Sequence, residues 1–134
     1  MILHKYSAGK SLRKPEYFTG NVWILPLIQT PSPAFINMNQ VYFEPGSRTN
    51  WHTHPVGQIL HIETGECWIQ KWGEKVFVAQ PGDTVYIAPK EKHWHGASKD
   101  GFMVHTALQI AENNVDAFWE EAVTDEQYYS GNDE

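Results

Sequence analysis

Short runs in which Val, Ile, Tyr, Phe and Trp alternate with polar residues fill most of this chain. Alternation with period two puts successive side chains on opposite faces of an extended backbone, so each run reads as a β-strand. The runs are VWILPLIQ (22–29), INMNQVYF (36–43), GQILHIE (57–63), ECWIQKW (66–72), KVFVAQ (75–80), DTVYIA (83–88), KHWHGA (92–97) and FMVHTALQI (102–110). Turn signals separate them: Glu44-Pro45-Gly46, Thr64-Gly65, Trp72-Gly73, Pro81-Gly82 and Asp100-Gly101. Asp-Gly between two apolar runs predicts a hairpin with a type I′ turn, whose central residues both need positive φ. Pro26 offers no ladder donor, which makes the first run an edge strand or a bulged one. QTPSPAF (29–35) reads as a loop.

Helical spacing is confined to the end. Residues 114–123, NVDAFWEEAV, can carry Val115, Phe118, Trp119 and Ala122 on one helical face, with Phe118 and Trp119 expected to pack on the outside of the strands. Thr124-x-x-Gln127 predicts a capping box that opens a last short turn of helix. Short strands with almost no helix predict an all-β fold, an antiparallel sandwich or barrel whose mouth can hold a small-molecule site. At 134 residues the chain suits one domain (1–134), with N-terminal strands at 17–29, a core barrel at about 36–110 and a C-terminal helical tail at 112–130.

Charge and composition narrow the function. Sixteen acids against ten bases give a net charge of −6 without a basic stripe, so no nucleic-acid partner is expected. Much of the acid lies in EEAVTDEQYYSGNDE, read as a solvated face and a frayed tail. Cys67 is the only cysteine, in a strand-like run, and is read as packing. The N-terminal stretch lacks an apolar signal region and VWILPLI is too short to span a bilayer, so a soluble cytoplasmic protein without a membrane partner is expected. Pro-punctuated N-terminal strands and a surplus of Trp predict a homodimer or higher homo-oligomer, with the segment around 17–29 pairing across subunits.

The histidines carry the chemistry. On a strand, residues two apart share a face, so His52 pairs with His54, His93 with His95, and His105 with Ala107 and Gln109. Five of the seven histidines thus fall in three strand-like segments with the parity to point into one cavity. Imidazole is the commonest protein metal ligand, and His-x-His on one strand with a third His on a facing strand supplies converging donors. His61 has the opposite parity to Gln58, Leu60 and Ile62 and should face outward or a partner subunit. Trp94 has the opposite parity to His93 and His95 and should pack behind the site or at a subunit contact. Asn39, Val41 and Phe43 should line the facing strand as substrate-binding residues, with Gln109 opposite.

The spacing in GSRTNWHTHPVGQILHIETG (46–65) resembles the first motif of the cupins, with Gly46, His52, His54, Gln58 and Gly65 on its positions. GDTVYIAPKEKHWHGA (82–97) is similar to the second motif, with Gly82, Asp83, Pro89 and His93. The resemblance implies a double-stranded β-helix, or jelly-roll, barrel with a short C-terminal helical segment, and a metal held by His52, His54, Gln58 and His93. Gln58 departs from the usual Glu, and Glu91 stands where the second motif commonly has Gly, with a one-residue difference in spacing. Four neutral donors leave a divalent ion its full charge, which makes it a stronger Lewis acid but weakens its retention.

Within the cupins the chain is most similar to a small single-domain group with Gln as fourth ligand and a His-Trp-His-Gly-Ala signature (His93–Ala97), which includes manganese-dependent bacterial hydroxynitrile lyases. That similarity reaches from YFTG (17–20) through FEPGSRTNWHTHPVGQ (43–58) and EKHWHGA (91–97) to TDEQY (124–128). It implies one divalent transition metal per chain, manganese first, with Fe, Zn, Ni or Co compatible with the same donors. It also implies cleavage of a small cyanohydrin or hydroxy-carbonyl substrate, with His95 or His105 as the catalytic base. The same ligands would also suit a dioxygenase, or a binding module without turnover.

Overall fold

The computed structural model describes residues 1–6, 11–12 and 15–130. In chain order the strands are β1 (Ser11–Leu12), β2 (Phe18–Thr19), β3 (Val22–Gln29), β4 (Phe35–Phe43), β5 (Arg48–Thr49), β6 (His52–Thr53) and β7 (Gln58–Thr64). They continue with β8 (Cys67–Lys71), β9 (Phe77–Ala79), β10 (Thr84–Ile87), β11 (His93–Ala97), β12 (Met103–Ala111) and β13 (Phe118–Trp119), followed by a short helix, α1 (Asp125–Tyr129). One antiparallel sheet, the larger in residues because its strands are longer, has the order β1, β3, β4, β12, β7, β10. The other has the order β13, β6, β11, β5, β2, with β8 also on β11 and β9 on β8. The two curl against each other as a jelly-roll barrel.

Strand register decides what the barrel encloses. Across the larger sheet, Phe43 stands between Val22 and Met103, and Val41 between Ile24 and His105. One row on, Ala107 pairs with both Asn39 and Leu60; the next row is Ile87, Gln58, Gln109, Asn37 and Gln29. The inward face therefore runs from apolar at one end to amide-rich at the other. Phe43, Leu60, Ile62 and Met103 are fully buried, and burying each stabilises the fold by about 1.5–3 kcal/mol. Pro26 sits at a register shift in the β3–β4 ladder, the bulge that its missing N–H predicts.

Two glycines are dictated by contact. Gly65 has φ of 77°, and a Cβ there would collide with the Phe102 carbonyl oxygen. Gly96 lets β11 lie against β5, where a Cβ would come within 2.6 Å of that of Arg48. Asp100-Gly101, in contrast, does not close a hairpin. β11 and β12 belong to different sheets, and Gly101 is not among the residues at positive φ. The turn carries the chain from one layer to the other, a role that local sequence does not distinguish from a hairpin.

The segment 114–123 is extended, not helical. Asn113 and Asn114 take positive φ (53° and 65°) in a tight turn closed by the Glu112–Val115 bridge. Beyond it Phe118 pairs with Thr53 and Trp119 with His52. With two-residue periodicity, Phe118 points outward and is exposed, while Trp119 turns inward. The outside of the smaller sheet is covered instead by Val123 and Tyr128, which pack with Trp51, Trp68 and Trp94 in a second core. Trp94 thus packs behind the site. The Thr124–Gln127 capping box is present and starts α1. The last four residues of the acidic tail lie outside the described residues.

Candidate metal centre

β6 and β11 are neighbours, and His52 lies directly opposite His93. Their rings are 4.2 Å apart between centroids, and that of His54 is 4.9 Å from His52 and 5.3 Å from His93. His54 stands just past the end of β6, where Pro55 stops the ladder, yet its ring still joins the group. Each of the three is pinned by Nδ1 to a backbone carbonyl: His52 to Asn50 at 2.9 Å, His93 to Glu91 at 2.8 Å and His54 to Asp116 at 2.6 Å. Nδ1–H donation to a carbonyl fixes the tautomer and leaves Nε2 as a bare acceptor, the arrangement of a metal-ligating imidazole.

Gln58, at the start of β7, donates its Nε2 to Gln109 Oε1 at 2.9 Å. Its Oε1 is buried and has no partner, as are Nε2 of His54 and His93. Seven buried side-chain atoms lack a partner among the described residues, and five belong to this cluster, the others there being His95 Nε2 and His105 Nδ1. One of the outer His95 and His105 nitrogens must carry a proton, because their shared bond uses only one ring's N–H; the other four atoms are bare acceptors. An unsatisfied buried polar atom costs about 1–3 kcal/mol, so this concentration of acceptors points to a cation site. Imidazole nitrogens with an amide oxygen suit a divalent transition metal.

His95 and His105 lie deeper. His105 Nε2 and His95 Nδ1 share a hydrogen bond at 2.9 Å, and both rings pack against Phe43. Nitrogens of His52, His93 and His95 come within 4.8 Å of one another, so these three are themselves placed to hold a metal ion, and His105 lies on the other side of His95. Burial is the main cause holding all five imidazoles below their ordinary range, His93 and His105 down to about 4. Neighbouring imidazoles reinforce this at His52, His93 and His95. At His54 the Asp116 carbonyl and carboxylate and the neighbouring Gln58 side chain oppose it. The cluster is therefore built of neutral rings, the form in which imidazole binds metal or accepts a proton.

A cavity of about 350 Å³ opens onto the cluster. Asn39, Val41, Phe43 and Gln109 line it, at the positions that strand parity gives them, together with His52, His54, Gln58, His95 and His105. His93 does not border this cavity but reaches the cluster from β11. His61 is exposed, sharing a 2.8 Å hydrogen bond with Thr84 Oγ1 on the outer face. Sequence reasoning missed several contributors, among them Ile24, Asn37, Asp116 and Trp119. Asn37 is readable in principle, since it shares the parity of Asn39 and Val41. Asp116 and Trp119, which stacks on His52 at 4.6 Å, are hidden by the helical spacing of 114–123. Burial raises the pKa of the Cys67 thiol, which leaves it to packing.

The cupin-domain family model matches residues 39–106. The (R)-mandelonitrile lyase of Granulicella tundricola is 49% identical over 113 residues, covering 84% of this chain and 86% of that protein. A cupin-like protein from Thermotoga maritima of known crystal structure superposes with a TM-score of 0.87 at 36% identity, covering 96% of this chain and 97% of that one. A polyketide cyclase from Streptomyces resistomycificus shares the fold at 15% identity, with a TM-score of 0.70 over 96% of this chain and 92% of that one.

Proposed function

The chain belongs to the cupin family, and from that premise we propose that it is a metal-dependent lyase that cleaves a small cyanohydrin into an aldehyde and hydrogen cyanide. The observation that carries the reading is the set of buried, unpartnered acceptors on His54, Gln58 and His93 beside the neutral His95–His105 pair. The 49% identity to a mandelonitrile lyase supports the choice of reaction. His52, His54, Gln58 and His93 would hold the ion, manganese first by resemblance. When bound, it would supply Lewis acidity toward a substrate oxygen.

The remaining steps fall to side chains of this chain. Val41, Phe43, Ile24 and Trp119 give the apolar wall that takes the substrate's hydrocarbon part, while Asn39 and Gln109 supply polar contacts. The His95–His105 pair accepts the hydroxyl proton of the cyanohydrin. The carbon–oxygen bond becomes a carbonyl as the bond to the nitrile carbon breaks, and cyanide leaves with the electron pair. The proton then passes from imidazole to cyanide, which restores the neutral pair. Burial makes the pair a weaker base and its imidazolium a readier acid than an exposed imidazole, so it aids return of the proton to cyanide and not its uptake.

The test is aldehyde release from racemic mandelonitrile by manganese-loaded protein, followed by ultraviolet absorbance. Aldehyde formation above the metal-stripped control is expected. Consumption of dioxygen by iron-loaded protein without cyanohydrin cleavage would contradict the lyase and favour an oxygenase.

A further inference from the structure

We propose that Asp116 is a positioning residue, whose carboxylate sets, through Gln109, which end of the Gln58 amide faces the histidine cluster. The inference rests on the reading of Gln58 as a metal ligand. Asp116 Oδ2 accepts from Asn37 Nδ2 at 2.7 Å and from Gln109 Nε2 at 3.1 Å. A carboxylate has no proton to donate, so Gln109 must turn its NH2 toward it. Gln109 Oε1 is then left on the far side, where it accepts from Gln58 Nε2 at 2.9 Å. Gln58 Oε1 in turn has no partner and is buried. The polarity of the chain of amides follows from its acceptor-only end. A flipped Gln58 would set two carbonyl oxygens against each other and aim an NH2 at the site, where it could bind no cation.

The same residue holds a second donor, because its backbone carbonyl fixes His54 Nδ1 at 2.6 Å. Its place is set by the turn at Asn113 and Asn114, which returns the chain from β12 to the cavity. The relay also explains why an amide stands at 58. A carboxylate there would demand the NH2 of Gln109 and turn its oxygen toward Asp116, two acceptors facing each other. Through hydrogen bonds Asp116 also gives a set of neutral donors a negative charge one layer out.

The experiment measures Mn²⁺ affinity of metal-stripped full-length protein in competition with a chromophoric chelator, with circular dichroism as the check on folding. Gln109→Leu is expected to weaken Mn²⁺ binding about 10- to 100-fold, and Asp116→Asn by less, since the introduced amide oxygen can still accept from Asn37 and Gln109 while its NH2 removes the acceptor-only end. In a Gln58→Glu background, Asp116→Asn is expected to leave affinity unchanged or raise it, since the introduced amide can donate to the reoriented Gln109. That reversal is a readout that support of the loop would not give. An equal loss in both backgrounds, or unchanged binding in both single variants, would overturn the proposal. Should Asp116→Asn fail to fold, Gln109→Leu decides: unchanged Mn²⁺ binding overturns it, and the expected loss upholds it. Failure of the unaltered protein to bind Mn²⁺ would instead remove the reading of the site itself.

Discussion

His105 is fully buried at the centre of β12, with its ring against Phe43 and its Nε2 on His95. On the proposed function His105 would serve proton transfer, while the three imidazoles pinned to carbonyls would serve metal binding. His105→Phe keeps an aromatic ring of similar bulk and removes the proton site. It is expected to lower kcat for cyanohydrin cleavage by about 10²–10⁴-fold, with metal content unchanged by elemental analysis. Equal activity would show that His105 only packs. A second expectation follows from burial of all five rings. In the metal-stripped protein their pKa values lie below the unfolded value of 6.5, at about 4 for His93 and His105. Between these limits the unfolded chain binds more protons than the folded one, so stability rises with pH there. It should be complete above pH 6.5 and be lost as pH falls toward 4. Urea midpoints of stripped protein at about pH 7.5, 6.5 and 5.5 check this, and a flat profile would contradict it.

At the scale of elements, the C-terminal segment serves both faces of the smaller sheet. β13 adds to β6 and turns Trp119 onto His52, and α1 then lays Tyr128 over the outer face. Tyr128 Oη donates to the Ala97 carbonyl at 2.6 Å, while Arg48 bonds the Val123 carbonyl and Asp125, both at 2.8 Å. Tyr128→Phe leaves the buried Ala97 carbonyl without this donor and is expected to cost about 1–3 kcal/mol in urea unfolding; an unchanged midpoint would mean that water replaces the bond. This segment also marks the limit of what the sequence discloses. Runs such as INMNQVYF and FMVHTALQI declare their strands and inward faces because alternation persists over eight or nine residues. β13 has two residues, too few to show a period, and its pairing depends on β6, far back in the chain. Val115, Phe118, Trp119 and Ala122 match helical spacing by coincidence, and the Asn113-Asn114 turn that rules a helix out falls where that helix would begin. Parity puts His52 with His54 and His93 with His95 on shared faces, whereas the choice of His52, His54, Gln58 and His93 as ligands is what the cupin resemblance implies. The Asp116 relay is not, since it joins residues from three parts of the chain.

Over the whole molecule, one end of the barrel holds the polar site and one row across the outer face of the larger sheet is apolar. Register sets Tyr86, Ile59, Leu108, Met38 and Ile28 in one row across β10, β7, β12, β4 and β3. Tyr86 is 67% exposed and Ile59 41%. Such a continuous apolar row suits burial against a second copy better than water. Among the described strands β2 stands at the end of its sheet, beside β5, so the 17–29 segment keeps an edge for a second copy and this face offers it a further contact. Light scattering is expected to give a homodimer, and Met38→Lys with Ile59→Lys a monomer; a monomer for the unaltered protein would refute the association. No helix among the described residues is long and apolar enough to cross a membrane. The barrel's chemistry turns on whether its bare acceptors hold an ion. The most direct measurement is the transition-metal content of untagged protein, purified without chelator and measured again after reloading. About one equivalent per chain is expected, falling below about a tenth in His52→Ala. Less than about a tenth in the unaltered protein after reloading would contradict the metal site and leave a small-molecule-binding barrel in place of a metal-dependent lyase.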